Sequence, residues 1–575
     1  MTGRTMPFPT WKTLARSERR FALLVGLALV VITGLPLLYG WSNTPPDATF
    51  TGLQSINVGD FSVYASYIEQ VREGRLLFVN RFTSDLPPFP RLHAFWLGMG
   101  LIATVLHLPA IVAFHAVRLV LIIPFVAFLA VFVTTFIERG AGTWSASTLR
   151  RIALLGIAFA AGFGGIVHGL TSYATHAPPE EAGVLMDLLV AEAFPFTAMY
   201  TSPHFIASLW LLLGIILLGY RYALSGHIRD AVLAGIAALA LFHMQPYYVV
   251  TIFGVLAAWI TIETIVARRI PKRLVALTVV VLLMGAPAIA YQLWLIHADP
   301  ITVWHLRQNI LPMPRWWVVL ISYGALIPLA TAGIVLRLRT MTRTDRLLIA
   351  WLVANVVLLV TPFPWQRKLS EGFQVALVLA GTPALAAILA TLRAHLPQPI
   401  ARYGWTRLTG AITAIVVFAL SPITVVGADL LRYDPRNAHT PTFLYYFFYP
   451  NATIDAMHWI RAHADERDAT VAASIDGYFV PRYAARPVAY GHMHETTNAT
   501  VKRAALLDIL MARMSPADAL LLLRNLNVRY FLVTDTHRDV WVLHPTDLPG
   551  VHLAYANDGA EVYELAPPST EETPR

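Results

Sequence analysis

The chain has 575 residues, 56% of them hydrophobic and only 13% charged, with 43 Lys and Arg against 34 Asp and Glu. A soluble globular chain carries about 25% charged residues, so a soluble globule is excluded for most of this length. The net charge of +9 sits in short loops between apolar runs, which removes the nucleic-acid reading that such a charge would otherwise invite. There is no cysteine, which excludes disulfides, thiol chemistry and Cys-based metal sites.

The first apolar run, Phe21 to Gly40, follows Lys12, Arg16, Arg19 and Arg20. About 20 residues of helix cross the hydrocarbon core, and no small-residue cleavage site follows, so this run reads as a retained helix and not a cleaved signal peptide. Further runs lie at 92–107, 109–136, 152–170, 204–220, 230–245, 247–266, 274–296, 316–336, 347–361, 372–392 and 408–427. The loops carrying Arg139, Arg150 and Arg151, Arg221 and Arg229, Arg268 to Arg273, Arg337 to Arg346, and Arg393 to Arg407 are basic and read as cytoplasmic. The loops 41–90 and 171–203 are acidic or long and read as outward. Between Arg91 and Arg139 the charge pattern requires an odd number of crossings, yet two apolar runs lie there. Either 92–107 is re-entrant or interfacial, or 109–136 is broken. The expectation is an α-helical polytopic membrane protein with 11–13 crossings, whose transmembrane part spans 1–427.

Beyond Val426 the composition becomes that of a soluble domain, 428–566, on the outward side. Ile454–Ala464, Lys502–Arg513 and Pro516–Leu526 read as helices, and Thr470–Ala473 and Tyr530–Thr534 as strands. Val551–Tyr555 and Glu561–Leu565 flank Asn557-Asp558-Gly559, a hairpin turn signal. This is a small C-terminal extracytoplasmic α/β domain. The Pro/Thr/Glu-rich tail, 567–575, reads as disordered.

The polar clusters fall at outward helix ends. Asp60 opens an aromatic helix in Gly59-Asp60-Phe61-Ser62-Val63-Tyr64, where a carboxylate suits the helix dipole; an ordinary cap is the competing reading. A second acidic stretch holds Asp187 and Glu192 and leads to Ser202-Pro203-His204-Phe205; a solvated loop is its plainer explanation. His243 precedes Pro246 between two apolar runs. Gln308 lies in Trp304-His305-Leu306-Arg307-Gln308-Asn309. Arg367 and Lys368 are outward cations that call for an anionic neighbour, either Glu371 or a bound phosphate. Arg118, inside an apolar run with His115, implies a partner, a cavity or an interfacial position. His492-Met493-His494-Glu495 is a weak metal signal without a fourth ligand at recognisable spacing.

In their order along the chain these pieces resemble the GT-C superfamily of polytopic glycosyltransferases, in particular its bacterial members. The resemblance rests on Asp60 and its helix, Glu73-Gly74-Arg75, Asn80-Arg81-Phe82-Thr83, Phe114-His115-Ala116-Val117-Arg118, the Ser202–Phe205 block, His243 with Pro246, Gln308-Asn309-Ile310-Leu311-Pro312, Gln366-Arg367-Lys368 and Arg486-Pro487-Val488-Ala489-Tyr490-Gly491-His492. It implies transfer of a sugar from a polyprenyl-phosphate donor to a glycan, lipid or protein acceptor on the outer face of a bacterial inner membrane, with inversion. Asp60 takes the place of the catalytic base, and Asp187 and Glu192 that of a second acidic motif. His204, His243, Gln308, Arg367 and Lys368 are the candidate donor-binding residues. No metal ligand set is assigned; neither loop holds an Asp-x-Asp pair, and a divalent metal stays open. A lipid or polysaccharide transporter, and a non-catalytic scaffold of the same architecture, are the alternatives.

Overall fold

The computed structural model describes residues 8–142, 144–175, 184–395, 419–434, 436, 447–538 and 540–567. Among these, six helical segments are long and apolar enough to cross a membrane: Arg16–Ser42, Ala110–Phe136, Pro203–Ser225, Tyr248–Ala267, Lys272–Ala298 and Gln366–Thr391. Two more crossings are available if each of two bent pairs is one span: Ala146–Phe159 with Gly164–Leu170, and Trp316–Tyr323 with Leu326–Thr340. Ile228–Met244 stops at 17 residues, and Arg343–Val360 carries Arg343, Asp345 and Arg346 in its first turn. Most of the 408–427 run and the tail beyond Pro567 lie outside the described residues.

The ambiguity at 92–136 is resolved. The 92–107 run folds as Ala94–Val105, only 12 residues, or about 18 Å of helix against a hydrocarbon core of about 30 Å. It ends at Leu106, followed by His107 at φ +51°, a left-handed residue that no helix continues through. The 109–136 run is one unbroken helix. One crossing therefore lies between Arg91 and Arg139, as the charge pattern requires.

The helices begin and end where local chemistry dictates. Pro203–Ser225 starts with Ser202 as N-cap and Pro203 in its first turn, and stops at Gly226, φ +75°; proline is pre-set for a first turn and glycine takes the left-handed stop at no steric cost. Arg343–Val360 starts with a reciprocal capping box between Thr342 and Asp345.

The chain divides into two compact units. The first comprises Met1–Leu35, His115–Gln292 and Leu311–Ala428. It is helical, and its two bent pairs meet at their breaks. Phe163 N–H donates to the Ile321 carbonyl at 2.8 Å, and a Cβ on Gly162 would stand 2.1 Å from the Ser322 carbonyl oxygen. Only glycine permits that approach.

The second unit comprises Pro36–Phe114, Leu293–Ile310 and Asp429–Arg575. The soluble domain thus shares a compact unit with the first outer loop and with 293–310. A two-stranded antiparallel sheet pairs β1 (Ala48–Phe50) with β2 (Phe448–Pro450). The main sheet has β3 (Ala469–Val471) parallel to β4 (Val528–Thr534), with β5 (Val551–Ala556) and β6 (Ala560–Leu565) completing the order β3-β4-β6-β5. The expected hairpin is β5–β6, and Asn557 closes its turn by accepting from the Gly559 and Ala560 amides. The helices fall at Asn451–His463, Ala499–Leu510 and Pro516–Asn525. Phe531, Leu523, Ile509 and Val471 lie in the buried core of the domain.

Candidate functional site

In the second unit the helix Val58–Arg72 presents Asp60 in its first turn. Asp60 is not the N-cap; that position is Asn57, at φ +56° and without a side-chain cap bond. The Asp60 side chain keeps 43% of its surface exposed, and its Oδ1 lies 3.5 Å from Nε2 of His492. His492 is buried. Its Nδ1 accepts from the backbone amides of His494 and Glu495, both at 3.1 Å. That network assigns the ring proton to Nε2, the nitrogen facing Asp60. Phe82 and Tyr478 pack edge-on against the ring, fixing its plane.

The turn that holds His492 is itself anchored. Glu495 lies 3.2 Å from Nδ1 of His305 and accepts from Asn80 Nδ2 at 3.2 Å. Burial raises the Glu495 carboxyl, but the contact and hydrogen bond with His305 outweigh it and, with Arg91 nearby, bring the group down to about 2. Burial lowers the His494 imidazole. Gln308 donates to the Thr496 carbonyl at 2.8 Å and accepts from the Ala499 amide at 2.9 Å, capping Ala499–Leu510. Asp60 and Gln308 thus meet the same 492–499 segment. The resemblance motif Asn80–Thr83 is stitched to this domain: Val488 N–H donates to the Arg81 carbonyl at 3.0 Å, and the Thr496 hydroxyl to the Phe82 carbonyl at 2.6 Å. Lys502, also buried, bonds Asp85 at 2.6 Å, Thr497 at 2.6 Å and Thr83 at 2.9 Å.

In the first unit Asp187 is fully buried, so its stretch is not a solvated loop. Its Oδ2 accepts from Gly164 N–H at 2.8 Å and from the Ser421 hydroxyl at 2.6 Å. Burial pushes the carboxyl up to about 6, against those hydrogen bonds, which hold it lower. Gly164 opens the second half of a bent span, so Asp187 satisfies an orphan donor there. At the other side of the break Gln374 donates to the Gly156 and Ala160 carbonyls, both at 2.9 Å. Arg118 finds the partners its position demands: its Nη1 donates to the Met199 carbonyl at 2.8 Å and its Nη2 to the Thr33 carbonyl at 3.1 Å.

Glu192 and Lys368 come together, with Nζ 3.8 Å from Oε1. Lys368 Nζ also lies 3.4 Å from the Tyr247 hydroxyl and 4.6 Å from the centre of its ring. Glu371, the anion expected beside the Arg367–Lys368 pair, is buried and accepts from the Ser208 hydroxyl at 2.7 Å. His204 bonds Ser202 through Nδ1 at 2.6 Å. His243 stands at the end of Ile228–Met244 with its ring 5.5 Å from that of Tyr291.

No protein-family model matches the sequence, and no curated protein is similar to it. Solved structures are similar in fold. The apo oligosaccharyltransferase of Archaeoglobus fulgidus superposes on 96% of this chain and 75% of its own, with a TM-score of 0.55 at 13% identity. This is the GT-C fold. The same archaeal protein in complex with Zn and sulfate covers 94% of this chain and 73% of its own, with a TM-score of 0.54 at 14% identity. ArnT from Cupriavidus metallidurans bound to undecaprenyl phosphate covers 95% of this chain and 99% of its own, at 12% identity and a TM-score of 0.49. Sequence reasoning gave the His492–Glu495 cluster only a weak metal signal, without its contact to Asp60, and passed over Gln374. The signal for Gln374 was available: a lone amide in an apolar run needs partners in the membrane.

Proposed function

We propose that the protein is a membrane glycosyltransferase that moves a sugar from a polyprenyl-phosphate donor to an acceptor hydroxyl on the outer face of the membrane, with inversion and with Asp60 as the base. The observation that carries this reading is Asp60 itself: a half-exposed carboxylate at a helix start in a GT-C fold, faced by a buried imidazole whose Nε2–H points toward it. A carboxylate so placed accepts the acceptor's proton as the hydroxyl oxygen attacks the anomeric carbon. The glycosidic electron pair leaves on the lipid phosphate. Positive charge near that phosphate stabilises the departure, and we assign Arg367 and Lys368 to it. In this reading His492 positions Asp60, and Glu192 orients Lys368. We give Asp187 a positioning role, because its Oδ2 is held by Gly164 N–H and the Ser421 hydroxyl. Among the described residues no three His, Asp or Glu side chains converge on a point that could hold a metal ion. No step is routed through a metal.

The test is transfer from a short-chain polyprenyl-phosphate sugar by the purified chain in micelles. Asp60→Asn should lower transfer by on the order of 10²–10⁴-fold while expression and membrane insertion stay intact. Undiminished transfer removes Asp60 from the chemistry. One observation favours a second reading, a lipid transporter: the two bent pairs meet at their breaks, as broken helices do around transporter sites. Movement of the lipid-linked sugar across proteoliposomes without any transfer, unaffected by Asp60→Asn, would establish that reading instead.

A further inference from the structure

A second cavity lies in the first unit, among the basic turns that the charge pattern assigns to the cytoplasmic side. It measures about 680 Å³ and is formed at the ends of Pro203–Ser225, Tyr248–Ala267, Lys272–Ala298 and Arg343–Val360. Arg269, Lys272, Arg273 and Arg343 line it, and Glu263 is its one acidic group. Glu263 is already occupied, since Arg346 donates to it at 2.8 and 3.3 Å from outside the lining. Arg273 is held in place by a 2.8 Å bond to the Leu224 carbonyl, at the end of Pro203–Ser225. The site therefore presents a cluster of cations with its carboxylate neutralised by a cation outside it. Trp259, at 4% exposure, forms its apolar wall. Beside the cations, Ile270 lines the cavity and stands 66% exposed, and Val266, on the flank of the Tyr248–Ala267 helix end, stands 55% exposed. A free anion has no use for that apolar flank, whereas acyl chains would cover it.

We propose that this cavity holds the headgroup of an anionic phospholipid of the inner leaflet, its phosphate among Arg269, Lys272 and Arg343 and its chains against Val266 and Ile270. Basic pockets between membrane helices on the cytoplasmic side recognise such headgroups. The lipid would fix the ends of four helices, and the inference does not depend on the transferase reading.

The test uses the full chain in detergent micelles, with retention of added phosphatidylglycerol or phosphatidylcholine read by native mass spectrometry. The parent should retain phosphatidylglycerol in preference to phosphatidylcholine. Arg269→Gln, Lys272→Gln and Arg343→Gln should each weaken that retention about five-fold and leave phosphatidylcholine unchanged. These side chains are exposed, so gel filtration of each variant should match the parent; should one aggregate, the other two carry the test. Equal retention of the two lipids, or variants that retain phosphatidylglycerol as the parent does, overturns the proposal. Displacement of the lipid by inorganic phosphate alone also overturns it, by reducing the site to an anion hole.

Discussion

At the scale of single residues, Asp187 and Gln374 do opposite work on one broken helix. The break at 160–163 orphans carbonyls on one side and amides on the other. The amide side chain of Gln374 serves the carbonyls and the carboxylate of Asp187 serves Gly164 N–H. Burial raises Asp187 to about 6, whereas an unfolded chain releases that proton near pH 4. The folded state thus binds the proton more tightly, and stability falls as pH rises between those two values. Asp187→Asn keeps an acceptor for Gly164 and has no charge to bury, so its thermal midpoint should drop less than the parent's between pH 4 and pH 7. An identical drop in both proteins would mean that Asp187 does not titrate in this window. Glu495 works with the reverse sign, because its carboxyl is brought down to about 2. Its contribution is complete above the unfolded value and is lost only as pH falls toward 2. Asp60 was legible in the sequence as a carboxylate opening an outward helix. Its neighbour His492 was not, because nothing local ties residues 432 positions apart; the pairing exists only once the C-terminal domain packs on the first outer loop.

At the scale of elements, buried charge secures that loop to the domain within the second unit. Lys502 is 8% exposed at its side chain and Asp85 28%, with Thr83 and Thr497 completing the set. Removing one member of a buried pair leaves the other uncompensated. Lys502→Ala should cost about 3 kcal/mol, the lower end for such pairs, because Asp85 remains partly in water. The measurement is the denaturation midpoint of the full chain in micelles, and a change of a few tenths would show that the threonines hold the loop without the charge. The elements of this domain were legible because each has a local signature: amphipathic spacing at Asn451–His463, the Ser515-Pro516 start at Pro516–Asn525, and Asn557-Asp558-Gly559 at the hairpin. The parallel pairing of β3 with β4 has no such signature, since it joins residues about 60 positions apart. The 94–105 helix was misjudged in length for a similar reason. Hydropathy continues smoothly through Leu106-His107-Leu108, and only the backbone shows the turn.

At the scale of the whole molecule, the charge pattern sets the Arg269 turn and the C-terminal domain on opposite sides of the membrane. The chain has no native thiol, so single cysteines report sidedness without background. Asp518→Cys and Arg269→Cys both sit at exposed positions. In intact cells or spheroplasts an impermeant maleimide should label the first and spare the second until the membrane is opened. Labelling of Arg269→Cys alone would invert the topology and move Asp60 away from the outer face, and labelling of both would overturn the cytoplasmic placement of the Arg269 turn.

The three-residue contact between β1 and β2 carries a consequence for how the protein is made. Thr49 bonds Asn451, 402 positions later, and the register pairs Ala48 with Pro450. At about 5–20 residues per second, a ribosome needs roughly 20 to 80 seconds to travel from one to the other. With the sidedness that the charge pattern predicts, the first loop waits throughout that interval on the outer face, before the strand that its own strand pairs with has been made. Unpaired strand edges recruit other chains. The nascent protein therefore has a defined window of vulnerability on the outer face, closed only by the arrival of its last 130 or so residues, and during it the loop depends on whatever chaperone or translocon surface covers it.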